Sequence, residues 1–193
     1  MRRILRLLAC GAVVLSLAAC TPTGRAVGDT QDSMPSIAHD STHKTDITVG
    51  FVGSTDTAAD KKAIDALADD TLNVYYASLD TSGDSETDDK IAATAQQGVT
   101  DFVDRAVKIV IISGIDVTDA NRDSWNQALT NAREAGIPVA LLNPKHAPED
   151  ELLYAAILNT DDAASAKSVS IADAVITITR DEPHDRTIAV ATE

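Results

Sequence analysis

Short apolar runs rich in β-branched residues recur along this chain, and each is followed by a stretch with helical apolar spacing. That alternation constrains the fold more than any other feature. The clearest run, Val107-Lys108-Ile109-Val110-Ile111-Ile112, has the composition of a strand covered on both faces, as strands of parallel sheets are. Similar runs read as strands are Asp46 to Gly53, breaking into Gly-Ser-Thr, then Leu72 to Leu79, Ile137 to Leu142, Leu152 to Leu158 and Thr187 to Ala191. Between them, Thr57-x-x-Asp60 has the spacing of a capping box, and Ala63, Ile64, Leu67 and Ala68 then form one apolar helical face. Ile91, Ala95, Val99, Phe102, Val103 and Ala106 mark a second helix in spite of Gly98. Trp125, Ala128, Leu129, Ala132 and Ala135 mark a third, with Gly136 placed to cap its end. Ala163 to Thr179 is read as a fourth helix, although its end, Val175-Ile176-Thr177-Ile178-Thr179, carries residues that prefer strands. Strands alternating with helices require right-handed crossovers, so the expected fold is a three-layer α/β/α domain with a mostly parallel, doubly wound sheet. A unit spanning 46–193 would bury roughly 70% of its unfolded surface, enough for independent stability.

The first twenty residues belong to something else. Met1-Arg2-Arg3-Ile4-Leu5-Arg6 is a basic start, Leu7 to Leu17 is apolar, and small residues precede Cys20, the layout of a secretory signal over 1–19 and too short for a stable membrane span. Leu17-Ala18-Ala19-Cys20 resembles the lipobox of bacterial lipoproteins, which implies cleavage before Cys20 and acylation of its thiol. Cys10 would leave with the signal, so no disulfide could form and the core alone must stabilise the domain. Losing Arg2, Arg3 and Arg6 takes the formal charge from −14 to −17. A surface that acidic repels phosphate backbones and anionic headgroups, which excludes nucleic acid as a partner and leaves the lipid as the sole membrane attachment. The domain would then stand outside the cytoplasm, in the cell envelope. Residues 20–45, starting at the lipidated cysteine, are rich in Thr, Ser, Gly, Asp and Pro without apolar period; they are expected to be a flexible tether reaching about 25–30 Å. His39 and His43, four apart in that stretch, are read as solvated and not as a metal pair.

In open parallel sheets ligands bind outside the carboxyl ends of the strands. The candidate ligand residues at those tips are Ser54 and Asp56 after the first strand, Asp80 after the second, Ser113 and Asp116 after the third, Asn143 after the fourth and Asp161 after the fifth. All accept hydrogen bonds, which suits hydroxyl-rich or cationic ligands; the same residue types also cap the helix that follows each strand, and both roles stay open. Nucleotide motifs are absent: Gly50-x-x-Gly53 lacks the glycine spacing of a dinucleotide loop, and no G-x-x-x-x-G-K-[ST] occurs. There is no G-x-S-x-G elbow, and His146 and His184 have no obvious nucleophile, so no catalytic residues or cofactors are assigned. Asp56, Asp80 and Asp116 could together hold a divalent cation in a metal-dependent enzyme, a weaker reading, and no metal site is assigned. Trp125, on the apolar face of its helix, is expected in the core.

Taken with the lipobox and polar tether, the series DITVGFVGS, LNVYYASLD, VKIVIISGID, AGIPVALLNP and LLYAAILNTDD resembles the type I periplasmic-binding-protein family, the solute receptors of ABC importers, whose fold is shared by LacI-like ligand domains. The resemblance implies a lipid-anchored receptor without enzymatic activity, a small carbohydrate-like ligand held by the tip residues named above, and a permease as partner. Asp161-Asp162 would sit at the crossover between lobes. Three features depart from the family. No aromatic follows the first strand, Ala164-Ser165 stand where a glycine is expected, and the second lobe would only be starting at Ala189-Val190-Ala191-Thr192-Glu193. A chain with one lobe supports an alternative, a surface lipoprotein acting as a protein-interaction module.

Overall fold

The structure is a computed structural model and describes residues 22–31, 43–79, 88–161, 163, 165 and 167–192. Seven strands form one sheet: β1 (Thr48–Val52), β2 (Asn73–Ala77), β3 (Ile109–Ser113), β4 (Val139–Leu142), β5 (Ala156–Asn159), β6 (Val169–Ser170) and β7 (Thr187–Ala191). Four helices accompany them: α1 (Thr57–Asp69), α2 (Asp88–Asp104), α3 (Arg122–Glu134) and α4 (Ile171–Thr179). The sheet order is β2-β1-β3-β4-β5-β7-β6, and every pairing is parallel. The order reverses between β1 and β3, which places a switch point beside the β1 and β3 tips.

Side chains alternate across each strand, and both faces are covered. Val49, Phe51, Ile109, Ile111, Ala140, Leu142 and Leu158 pack with Ala63 and Leu67 of α1 and with Ile171, Val175 and Ile178 of α4. Val52, Val110, Ile112, Val139 and Leu141 face the other way, onto Ala95, Val99 and Phe102 of α2 and Trp125, Leu129 and Ala132 of α3. Gly50 also lies on this second face: a Cβ there would stand 2.5 Å from Cγ of Phe102, so the ring packs directly on backbone. Gly136 closes α3 at φ +71°, with Ile137 N donating to Ala132 O, the left-handed helix ending that only glycine adopts freely.

Several boundaries differ from the sequence-based expectation, each for a local reason. The cap of α1 is Asp56, whose carboxylate accepts from Ala59 N at 3.0 Å, and not Thr57; Asp60 turns inward instead of completing a capping box. Leu152 and Leu153 lie in a 3-10 turn, Glu151–Leu153, because Asp150 accepts from Leu152 N, and β5 starts later at Ala156. The fourth helix starts at Ile171, not Ala163, capped by Ser170 Oγ accepting from Asp173 N, while Val169–Ser170 pair with Val190 and Ala191. Its β-branched end is helical nonetheless. Burial of Val175, Ile176 and Ile178 contributes about 1.5–3 kcal/mol each, several times the intrinsic helix penalty of at most ~0.7 kcal/mol per residue.

Two placements concern domain organisation. β7, read from the sequence as the last strand, pairs with β5 in this same sheet. Residues 22–31, which fall within the expected tether, pack against the amino ends of β4 and β7, with Ala26, Gly28, Asp29 and Thr30 buried. Among the described residues no helix is long and apolar enough to cross a membrane.

Candidate ligand-binding site

At the switch point, the backbone turning out of β1 is fixed by one buried acid. Asp60, 1% exposed on the inner face of α1, accepts from Ser54 N at 2.6 Å and from Ser54 Oγ at 3.0 Å. Ser54 Oγ in turn accepts from Asp56 N at 3.0 Å. Gly53 leaves room beneath this turn: a Cβ would lie 2.7 Å from the Tyr76 hydroxyl and 3.0 Å from Asp60 Oδ2. Burial pushes the Tyr76 phenol above its ordinary value, and the nearby Asp60 carboxylate adds to the shift by opposing a second negative charge.

The loop after β3 is held from two sides. Asn121 donates through Nδ2 to Asp116 O at 3.1 Å and accepts at Oδ1 from Thr118 N at 2.8 Å, closing the loop into the start of α3. Across it, Lys145 N donates to Ile115 O and Val117 N to His146 O, and the Asp116 carboxylate meets His146 Nδ1 at 2.7 Å. The loops after β3 and β4 are therefore one unit. Asn143, at φ +45°, ties the β4 tip to the β5 tip: its Nδ2 donates to Thr160 Oγ1 at 2.7 Å, and its Oδ1 accepts from Thr160 N at 2.9 Å.

Two concavities open at this end of the sheet. A cavity of about 110 Å³ lies between the β1 and β3 tips, α2 and α3. Its polar lining includes Ser54, Ser113, Asp116 and Lys145 together with Asp88, Asp89 and Asn121, and its apolar wall includes Ile91, Ala95, Ile112 and Ile115. Trp125 also lines it; the side chain is 2% exposed, and its indole N–H has no acceptor among the described residues. A wider groove of about 620 Å³ runs between α1 and the β3, β4 and β7 tips, bordered by Asp56, Lys62, Ser113, Asn143, Thr160 and Thr192. Ser113, buried at the end of β3, borders both.

The structure thus brings Ser54, Ser113 and Asp116 together around the cavity and Asp56, Ser113 and Asn143 along the groove. Asp161 borders neither. It is exposed, with its N–H donating to Asn159 Oδ1 in a local turn, while its neighbour Thr160 lines the groove. Asp80 and Cys20 lie outside the described residues. Asp56 and Asp116 stand on different concavities, and among the described residues no group of three His, Cys, Asp or Glu side chains could hold a metal ion. Sequence reasoning missed Asp60, Asn121, Lys145 and Thr160. Asn121 had a legible signal as the residue before α3; Asp60 had only its place on the inward stripe of α1, where an acid is unexpected.

Such a cavity can seat a small neutral polyol. Apolar side chains can cover C–H surface, the Ser113 hydroxyl can donate or accept, Ser54 Oγ, whose proton goes to Asp60, can only accept, and the Asp116 carboxylate can accept from ligand hydroxyls. Carboxylates at the rim disfavour anions.

No family model matches the chain, and no curated protein matches it. Among solved structures it is similar to a protein from Mycobacterium smegmatis in complex with β-D-fucofuranose, at 15% identity over 75% of this chain and 55% of that one, TM-score 0.47. It is also similar to the periplasmic binding protein of the arabinose ABC transporter from Shewanella sp. ANA-3, bound to α- and β-L-arabinofuranose, at 16% identity over 74% and 54%, TM-score 0.45. A third likeness, to a pilus assembly-related protein from Burkholderia pseudomallei, has 17% identity over 75% of this chain and 97% of that one, TM-score 0.46. The chain spans about half the length of the two sugar-bound proteins.

Proposed function

We propose that this domain is a carbohydrate-binding lobe of a lipid-anchored receptor serving an ABC importer, non-catalytic, with Cys20 as the acylated residue and a permease as its partner. The observation that carries the ligand reading is the convergence of Ser54, Ser113 and Asp116 on one small cavity with an apolar wall at the sheet's switch point. The receptor character is supported by the signal and lipobox pattern of the first twenty residues. In this reading Asp116 orients ligand hydroxyls, its other face held by His146, and Ser54 presents its hydroxyl from a loop fixed by Asp60.

The test is calorimetric titration of the purified chain with furanose and pyranose monosaccharides and linear polyols, repeated on Asp116→Ala and Ser113→Ala. Saturable heat with one sugar class, weakened at least about tenfold by Asp116→Ala, is the expected result, since a lost charged hydrogen bond costs about 1.5–3 kcal/mol. No heat with any sugar, or binding indifferent to both substitutions, removes the ligand reading.

A further inference from the structure

Residues 22–31 are built into the domain by more than surface contact. Asp29, 4% exposed, pairs through Oδ2 with Arg186, whose guanidinium lies 4.5 Å from the centroid of the Tyr154 ring. Thr30 Oγ1 donates to Glu182 O, His184 Nε2 meets Gly28 O at 2.7 Å, and His184 N donates to Gln31 O at 3.0 Å. Gly28, at φ +78°, threads where a Cβ would stand 2.9 Å from Pro138 Cβ and 3.0 Å from Ile178 Cγ2. Nearer the chain start, Arg133 at the end of α3 donates to Pro22 O at 2.9 Å and Arg25 O at 3.1 Å. Every partner sits at the amino ends of the strands: Arg133 and Pro138 precede β4, Tyr154 precedes β5, and Ile178, Glu182, His184 and Arg186 precede β7.

The geometry points to a latch that sets the domain on the bilayer with the amino end of its sheet facing the lipid and the candidate ligand site facing away. The inference rests on the proposed acylation of Cys20. Only Thr21 separates Cys20 from Pro22, so the anchored Cα lies at most about 7 Å from a residue bonded to the folded domain. A tether beginning at Cys20 would let the domain wander by about 25–30 Å; a latch beginning at Pro22 removes that freedom. Net electrostatic attraction does not hold the domain to the bilayer, because the chain is strongly acidic overall. The strands then point outward, and the β3 and β4 tips stand about 15–20 Å farther from the lipid than the latch.

The experiment uses the full chain processed in its native host and reconstituted in vesicles carrying a headgroup energy acceptor, with a fluorophore on Glu134→Cys at the amino end or on Ala120→Cys at the carboxyl end. Both positions are exposed. Acylated Cys20 leaves the introduced cysteine as the single free thiol, and intact mass verifies acylation. Transfer from position 134 should exceed that from position 120 by about threefold, given the height difference between the ends. Arg133→Ala or Arg186→Ala should bring the two within error of each other. Equal transfer from both ends of an acylated protein, or an asymmetry untouched by both latch substitutions, overturns the latch while leaving the anchor in place. An unacylated mass overturns the anchor, and the latch's membrane role with it.

Discussion

The two ends of this sheet are built from the same strands and helices, yet their polar groups are used in opposite ways. At the amino end, long-range pairs fasten residues 22–31 to the end of α3 and to the loop before β7, and the central pair, Asp29 with Arg186, is largely withdrawn from water. At the carboxyl end, the polar groups bond mainly within their own loop or to the next one, as Ser54 does with Asp60 and Asn143 with Thr160, and they border open concavities. The difference follows from the parallel architecture. Helix N-termini and strand exits converge at the carboxyl end, so short polar side chains serve as caps there and remain reachable; helix C-termini converge at the amino end, where long cations such as Arg133 meet backbone carbonyls. One end is available for ligand, the other for holding the chain together.

The comparison breaks most visibly at Arg186. Arg186→Ala leaves Asp29 as an unpaired buried carboxylate and strips the cation from Tyr154, so the stability loss should be about 3 kcal/mol, capped by the cost of releasing residues 22–31. Urea denaturation reads it, and a change below about 0.5 kcal/mol would show that the amino end is no better fastened than the tips. Gly28→Ala should follow at about 1–3 kcal/mol, from a positive φ and the approach of Pro138 and Ile178. A Gly28→Ala protein of unchanged midpoint would mean that the segment detaches without consequence for the core.

How much of this was readable from the residues differs between the ends for physical reasons. The β-branched run ending in Ile112 and the spacing of Trp125, Leu129 and Ala132 report two-sided burial directly, so the α/β/α layering was legible. So was the gathering of Ser54, Ser113 and Asp116, because parallel strands put their tips at one edge. Residues 22–31 were not legible as docked: Pro-Thr-Gly-Arg-Ala-Val-Gly-Asp-Thr-Gln has no apolar period, and its fastening depends on Glu182, His184 and Arg186, distant in sequence. Nor was the short β6, whose two residues pair only with β7. Asp60 and Asn121 escaped because their roles, accepting from a loop N–H or closing a turn, leave no periodic trace.

At the carboxyl end the expected effects are smaller on stability and larger on binding. Asn143→Ala loses both bonds to Thr160 and puts alanine at φ +45°, a cost of about 1–2 kcal/mol, and Asn143→Gly should recover part of it by relieving the backbone. Equal losses for alanine and glycine would exclude a backbone contribution. Asp116→Ala should change stability by no more than about 0.5 kcal/mol, because its pair with His146 is largely exposed, while weakening the sugar binding described above at least about tenfold. A destabilisation as large as that of Arg186→Ala would erase the distinction between the ends.

The smallest effect concerns Tyr76, whose hydroxyl sits beside Gly53 and Asp60 under the β1 turn. Its phenol titrates above the ordinary value of 10.0, through burial first and the Asp60 charge second. A raised value in the folded state means that the neutral phenol is favoured there, so its contribution is complete below the ordinary pKa and is lost as pH rises through the raised one. Urea midpoints compared at about pH 8 and about pH 11 should fall further for the wild type than for Tyr76→Phe, which keeps the ring and removes the titrating proton. Asp60→Asn should narrow that gap by removing the opposing charge, although it also weakens the hold on Ser54. If Tyr76→Phe and the wild type fall in parallel, the phenol does not sense the β1 turn, and the ordering of that loop rests on the Asp60 to Ser54 bonds alone.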